Sequence, residues 1–118
     1  MTDRDLLELA AKAAGIDGWW EQPYLSFIKR SGGPWSPLDD DGDALRLAVK
    51  LSLQVTPGTY NSEEATAYKS AHAEAHERVH FLQDIGAATR RAIVRAAAEI
   101  GKGMRPFPTA EEIRDEWT

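Results

Sequence analysis

Residues 18 to 37 rule out one long helix through the first third of the chain. The run Gly18-Trp19-Trp20-Glu21-Gln22-Pro23-Tyr24 is followed a few residues later by Gly32-Gly33-Pro34-Trp35-Ser36-Pro37. Proline lacks the backbone donor a helix needs, and glycine loses more freedom on ordering than any other residue. Yet this window holds three of the four tryptophans. Large rings on irregular backbone mark either a binding surface or a small core under a long loop. Leu25-Ser26-Phe27-Ile28 reads as a short strand, and Gly32-Gly33-Pro34 ends whatever precedes it.

The flanking patterns are helical. Thr2 is a natural N-cap for a helix from about Asp3 to Ala14, with Asp3 and Asp5 in its first turn and Gly15 beyond its end. Leu6, Leu7, Ala10, Ala13 and Ala14 form its apolar stripe. A second helix starts near Asp41, capped by Asp40 and aided by Asp43, with Ala44, Leu45, Ala48 and Val49 expected to be buried. Leu51 to Val55 alternates with period two and predicts a strand ended by Thr56-Pro57-Gly58. A third helix runs from about Ala88 to Ile100, with Ala92, Ile93, Ala96, Ala97 and Ile100 on one face. Arg91, Arg95 and Lys102 project from the other side, and Gly101 and Gly103 end the helix.

Residues 63–84 fit two periods. Tyr68, Ala71, Ala75, Val79 and Leu82 lie on one helical face, while Ala67, Ala71, Ala73, Ala75, Val79 and Phe81 alternate as in a half-buried strand. Near the end, Thr109-Ala110-Glu111-Glu112 is a capping box for a short turn that pairs Ile113 with Trp117. These patterns predict one α+β domain over 1–104, about three helices packed on a small antiparallel sheet. Residues 105–118 read as a C-terminal extension.

Composition narrows the function. The chain has 118 residues, no cysteine and a net charge of -5. Disulfides, thiol nucleophiles and Cys-containing zinc motifs are excluded. An acidic chain is a poor match for a phosphate backbone, so nucleic acid is not the expected partner. The acidic N-terminus lacks the features of a secretory signal, and no apolar run approaches a membrane span. The expected compartment is the cytosol, with no membrane association.

Two blocks carry a resemblance. They are Trp35-Ser36-Pro37-Leu38 with Asp40-Asp41-Gly42-Asp43-Ala44-Leu45-Arg46-Leu47-Ala48-Val49-Lys50-Leu51, and Ala87 to Gly101. Over roughly the first hundred residues the chain resembles a group of small, uncharacterised proteins encoded by phages and prophages, loosely similar to the NinX-type accessory proteins of lambdoid phages. The resemblance implies a helix, a loop, a helix, a variable β-rich segment and a closing helix, and so tips residues 63–84 toward strand. It implies an accessory role in the host cytosol, such as countering host defence. The family supplies no catalytic residues to carry over.

Several constellations invite chemistry. Asp39, Asp41 and Asp43 suggest a calcium loop, but positions six and twelve counted from Asp39 hold Ala44 and Lys50, where glycine and glutamate are needed. Helix capping accounts for them better. His72, His76 and His80 recur every four residues and could ligate zinc or nickel. In His72-Ala73-Glu74-Ala75-His76 the glutamate sits one place late for the metalloprotease pattern, and a solvated polar face is the preferred reading. No metal and no cofactor are expected.

The turn Asp84-Ile85-Gly86 leads into a helix start carrying Thr89, Arg90 and Arg91. Helix N-termini and arginine forks suit an anion, although surface arginines more often pair with a chain's own acids. Trp19, Trp20, Tyr24, Phe27 and Trp35, with Arg30 following them, could stack on a base or anchor a protein partner. Some of these rings must fill the core, Trp20 or Phe27 among them. No Ser-His-Asp order, P-loop or Rossmann fingerprint occurs, so no enzyme activity is assigned. The expected function is that of a non-catalytic phage protein sequestering a small nucleotide-like signal through Trp19, Trp20, Tyr24, Arg30, Trp35, Thr89, Arg90 and Arg91. The alternative is an inhibitor or adaptor acting on a host protein, and a His-dependent metal protein stands third. A homo-oligomer is compatible with any of these.

Overall fold

A computed structural model describes residues 1–57, 64–70, 73–78 and 85–104. The expected turn at Gly58, the side chains of His72 and His80, and the C-terminal turn lie outside those residues. The described elements are α1 (Asp3–Ala14), β1 (Gly18–Glu21), a 3₁₀ turn (Gln22–Tyr24), β2 (Ser26–Lys29), β3 (Pro34–Trp35), α2 (Asp41–Leu51), β4 (Gln54–Thr56), β5 (Glu64–Ser70), β6 (Ala73–Arg78) and α3 (Ile85–Gly103). This is the expected α+β class, but with two three-stranded antiparallel sheets in place of one.

Helix α1 begins as the sequence predicts. The Thr2 hydroxyl accepts the Asp5 N–H at 3.2 Å, and the Asp5 carboxylate accepts the Thr2 N–H at 3.0 Å. Those Thr2 hydrogen bonds hold the Asp5 carboxyl below its usual range. Gly15, at φ 70°, closes the helix on the Ala11 and Lys12 carbonyls. Leu6, Leu7, Ala10, Ala11 and Ala14 are buried.

Helix α2 starts on its predicted cap, with the Asp40 carboxylate accepting the Asp43 N–H at 2.7 Å. Its buried face differs from the expectation. Ala44, Leu47, Ala48 and Leu51 are buried, whereas Leu45 and Val49 are 64% and 69% exposed. The cause is Asp43, which accepts the Ser36 N–H at 3.0 Å and the Arg46 guanidinium at 2.7 Å. Anchoring Asp43 to the segment after β3 rotates the helix so that the 44, 47, 48, 51 stripe faces inward. Burial pushes the Asp43 carboxyl up, but the Ser36 N–H and Arg46 outweigh it and leave the pKa below the usual value. Leu51 is the last member of that helical stripe, so strand β4 begins only at Gln54. Ser52 makes the break, in left-handed backbone at φ 55°.

Residues 64–70 and 73–78 are strands, the period-two alternative of the sequence. β4, β5 and β6 pair in order, with Val55 opposite Ala67 and Ala67 opposite Ala75. Ala65, Ala67, Ala73 and Ala75 are buried beneath α3. Helix α3 also packs on α1 and α2, and is lined by Ala88, Ala92, Ile93, Val94, Ala96, Ala97 and Ala98. Such a core gains from close backbone approach more than from large side chains. The closest approach is at Gly101, where a Cβ would lie 2.1 Å from the Leu9 carbonyl oxygen. No helix among the described residues is long and apolar enough to cross a membrane.

Candidate functional site

The aromatic window folds as a hairpin, β1 to β2, with β3 beside it. Trp19 pairs with Ile28, Trp20 with Phe27, and Phe27 with Trp35. Period-two alternation sorts the rings. Trp20, Phe27 and Trp35 share the inner face. Phe27 and Trp35 are buried, edge to face, with centroids 5.6 Å apart and planes at 68°. Trp20 is partly buried against this core, and its indole N–H donates to Gln22 at 2.9 Å. Trp19 faces outward, 44% exposed, with its N–H on the Glu21 carboxylate.

The hairpin tip is the most exposed apolar feature of the sheet. Pro23 is the second residue of the 3₁₀ turn, and the Leu25 N–H closes it on the Gln22 carbonyl at 3.1 Å. Tyr24 is 77% exposed and Leu25 68% exposed. Leu25 holds φ 47° and ψ 47°, a left-handed conformation that is costly for a residue with a Cβ. At the base of the hairpin Arg30 donates to the Asp17 carboxylate, and its N–H to the Asp17 carbonyl.

Between this hairpin and α1 runs a groove of about 830 Å³. It is lined by Ala11, Ile16, Gly18, Trp19, Trp20 and Phe27 together with Arg4, Glu8, Lys12 and Asp17. The charges along it are largely internal pairs: Arg4 with Glu8 at 2.7 Å, and Asp17 with Arg30. Gly18 is required here, because a Cβ would sit 2.1 Å from the Ile28 carbonyl oxygen and 2.7 Å from the Phe27 ring.

The expected anion site is not assembled. Helix α3 begins at Ile85, so Arg90 and Arg91 lie in its second turn, away from the free N–H groups of its start. Arg90 donates to the Leu38 carbonyl at 2.8 Å and to Asp41 at 2.7 Å. Arg91 pairs with Asp3 at 3.0 Å and lies 3.6 Å from Glu77. The Thr89 hydroxyl donates to the Ile85 carbonyl of its own helix. None of these three lines the aromatic groove. Trp35, expected as a stacking platform, is core. The aromatic and arginine clusters therefore do not converge; the surplus of acids claims the cations instead. Arg90 tethers through partners about fifty positions away, which no local pattern in the sequence announces.

A second hollow, about 510 Å³, lies where β6, α3 and the start of α1 meet. Its cations are also paired, Arg95 with Glu77 at 2.6 Å and Lys102 with Glu99 at 3.1 Å. Close by on β6, His76 sits between two carboxylates, Nδ1 3.2 Å from Glu64 and Nε2 2.7 Å from Glu74. The hydrogen bonds to Glu74 and then Glu64 raise its pKa. The two acids address opposite ring nitrogens, so each nitrogen of His76 has a carboxylate partner. Among the described residues no group of three ligating side chains could hold a metal ion. Set beside protein-family models, curated proteins and solved structures, the chain matches none of them.

Proposed function

We propose that the chain is a non-catalytic accessory protein that binds a protein partner through the β1–β2 hairpin and the groove behind it. The observation carrying this reading is the tip. Trp19, Tyr24 and Leu25 are presented on one hairpin, and Leu25 is kept in a conformation that costs about 1–2 kcal/mol. Strain retained at an exposed apolar position is characteristic of binding loops. Tryptophan and tyrosine are the residues most often found at interface hot spots. An inhibitor or adaptor acting on a host protein fits such a surface, and is compatible with the phage accessory role that the two sequence blocks imply. Sequestration of a nucleotide-like signal has lost its phosphate-binding half, since Arg90 and Arg91 are engaged by the chain's own acids and carbonyls.

The test is affinity capture from host lysate with the wild-type chain and two variants. Wild type retains one stoichiometric protein. Tyr24→Ser loses it, while Tyr68→Ser, which alters an exposed ring on the other sheet, keeps it. Retention by Tyr24→Ser, or recovery of a small molecule in place of a protein, would overturn the proposal.

A further inference from the structure

A hollow of about 260 Å³ lies where the end of α1, strands β2 and β3 and helix α2 meet. Three cations line it, Lys29, Arg46 and Lys50, against a single carboxylate, Asp43. That is a local surplus of positive charge in a chain whose net charge is -5. Asp43 is already engaged, by the Ser36 N–H at 3.0 Å and by Arg46 at 2.7 Å. Asp40, 3.8 Å from Arg46, does not line the hollow. Among the described residues neither the Lys29 nor the Lys50 ammonium has a hydrogen-bond or ion-pair partner. Lys29 is half-buried, and close enough to Asp43 for the two charges to act on each other. Strand β2 and helix α2 thus bring their cations to one place. Arg46 and Lys50 are also i,i+4 neighbours on α2, a spacing at which like charges weaken a helix. An anion between them would relieve that repulsion.

We infer that this hollow binds the phosphate group of a small phosphate monoester. Charge selects phosphate. A monoester carries about -1.5 to -2 at neutral pH, which matches three cations set against one acid, whereas a carboxylate would leave one cation unmatched. The donors suit it as well. Arg46 keeps guanidinium N–H groups beyond the one given to Asp43, and lysines serve phosphate as point charges. The volume equals roughly nine waters at about 30 Å³ each, room for the phosphate and a short carbon body. Ala14, Ile16, Trp35 and Leu47 give that body an apolar wall. The negative end of the α1 dipole also lies here, partly offset because the Gly15 and Ile16 N–H groups turn back onto the Ala11 and Lys12 carbonyls. Neither Tyr24 nor Leu25 lines the hollow, so the site stands apart from the hairpin tip and does not rest on the partner reading.

The test is an NMR titration of the full chain with phenyl phosphate at constant ionic strength. Benzoate keeps the ring but carries a single charge, and inorganic phosphate keeps the charge but lacks the body. The expected result is saturable shifts at the Gly15, Lys29 and Lys50 amides and the Trp35 indole. Benzoate and inorganic phosphate each bind at least tenfold more weakly. Affinity for phenyl phosphate falls about tenfold from about pH 7.5 to about pH 5, as the ester regains its second proton near pH 6. Lys29→Gln combined with Lys50→Gln lowers affinity at least tenfold and leaves Tm unchanged, since neither ammonium has a partner in the described fold. Lys69→Gln, an exposed lysine on the other sheet, binds as wild type does. Absence of saturable shifts would overturn the inference. So would equal affinity for benzoate or inorganic phosphate, affinity unmoved by pH, or wild-type affinity in the double variant. The titration uses no protein partner and the capture no phosphate ester, so the failure of one leaves the other standing.

Discussion

Replacing Gly101 with alanine sets two physical effects against each other. Gly101 lies inside α3, where alanine is intrinsically better than glycine by about 1 kcal/mol. Propensity alone therefore predicts a stabilised protein. The structure predicts the opposite. An added Cβ would meet the Leu9 carbonyl oxygen at 2.1 Å and its carbon at 2.9 Å, against an ordinary contact of 3.4 Å or more. The obstacle is backbone of α1, which cannot rotate away as a side chain would. The helices must part by roughly 1 Å, loosening the small-residue seam formed by Ala10, Ala11 and Ala14 with α3. Overpacking of this kind costs about 1–3 kcal/mol and sometimes more. Taking the upper half of that range for a backbone clash, the net loss is about 1–2 kcal/mol, or a fall in Tm of about 4–10 °C for a domain of this size. Gly103→Ala is the control, because nothing lies within 4 Å of its added Cβ. Thermal melts followed by circular dichroism decide it. A Gly101→Ala protein melting at or above wild type would refute the α1–α3 approach.

Two further outcomes follow from the ion pairs. Arg90→Ala should lower stability by about 1–3 kcal/mol, since it removes the hydrogen bonds to the Leu38 carbonyl and Asp41 that tie α3 to the start of α2. Urea titration with an unchanged midpoint would show that this arginine is not structural. His76 has a pKa raised above its ordinary 6.5 by Glu74 and Glu64, so its protonated form favours the folded state. Its contribution is full below pH 6.5 and is lost as pH rises through the folded-state pKa. The Tm gap between wild type and His76→Gln should therefore close on raising pH, and a gap that widens would contradict the sign.

Much of the architecture is legible in local chemistry. The caps at Thr2, Asp40 and Gly15 fix the ends of α1 and α2 because each satisfies backbone groups within four residues of itself. Of the predicted alternation, Ala67, Ala73 and Ala75 lie on the buried face of β5 and β6, where Ala65 joins them, and Ala71, Val79 and Phe81 lie outside the described residues. What local patterns miss is set by distant partners. Asp43 turns α2 by holding Ser36, so Leu45 and Val49 face outward although their spacing suits a core. Strand β1 escapes a reading based on glycine and proline, because its order comes from pairing with β2. In the site, the rings are visible in the sequence, but only pairing register separates buried Phe27 and Trp35 from exposed Trp19, and only the 3₁₀ turn at the tip exposes Tyr24. Arg90 and Arg91 carry the right chemistry for an anion, and their long-range acid partners remove them from that role.

The central claim is that the hairpin tip is built for a partner at some expense to the fold, and Leu25→Gly tests it most directly. Glycine relieves the left-handed strain of about 1–2 kcal/mol, partly offset by about 0.4–1 kcal/mol of added unfolded-chain freedom. Leu25 is mostly exposed, so little buried surface is lost. Stability and partner capture measured on the same preparation should move in opposite directions: Tm rises by a few degrees, and the captured protein is lost. A variant that keeps its partner at full stoichiometry, or that loses stability together with the partner, would show that Leu25 serves the fold and that the tip is not the binding surface.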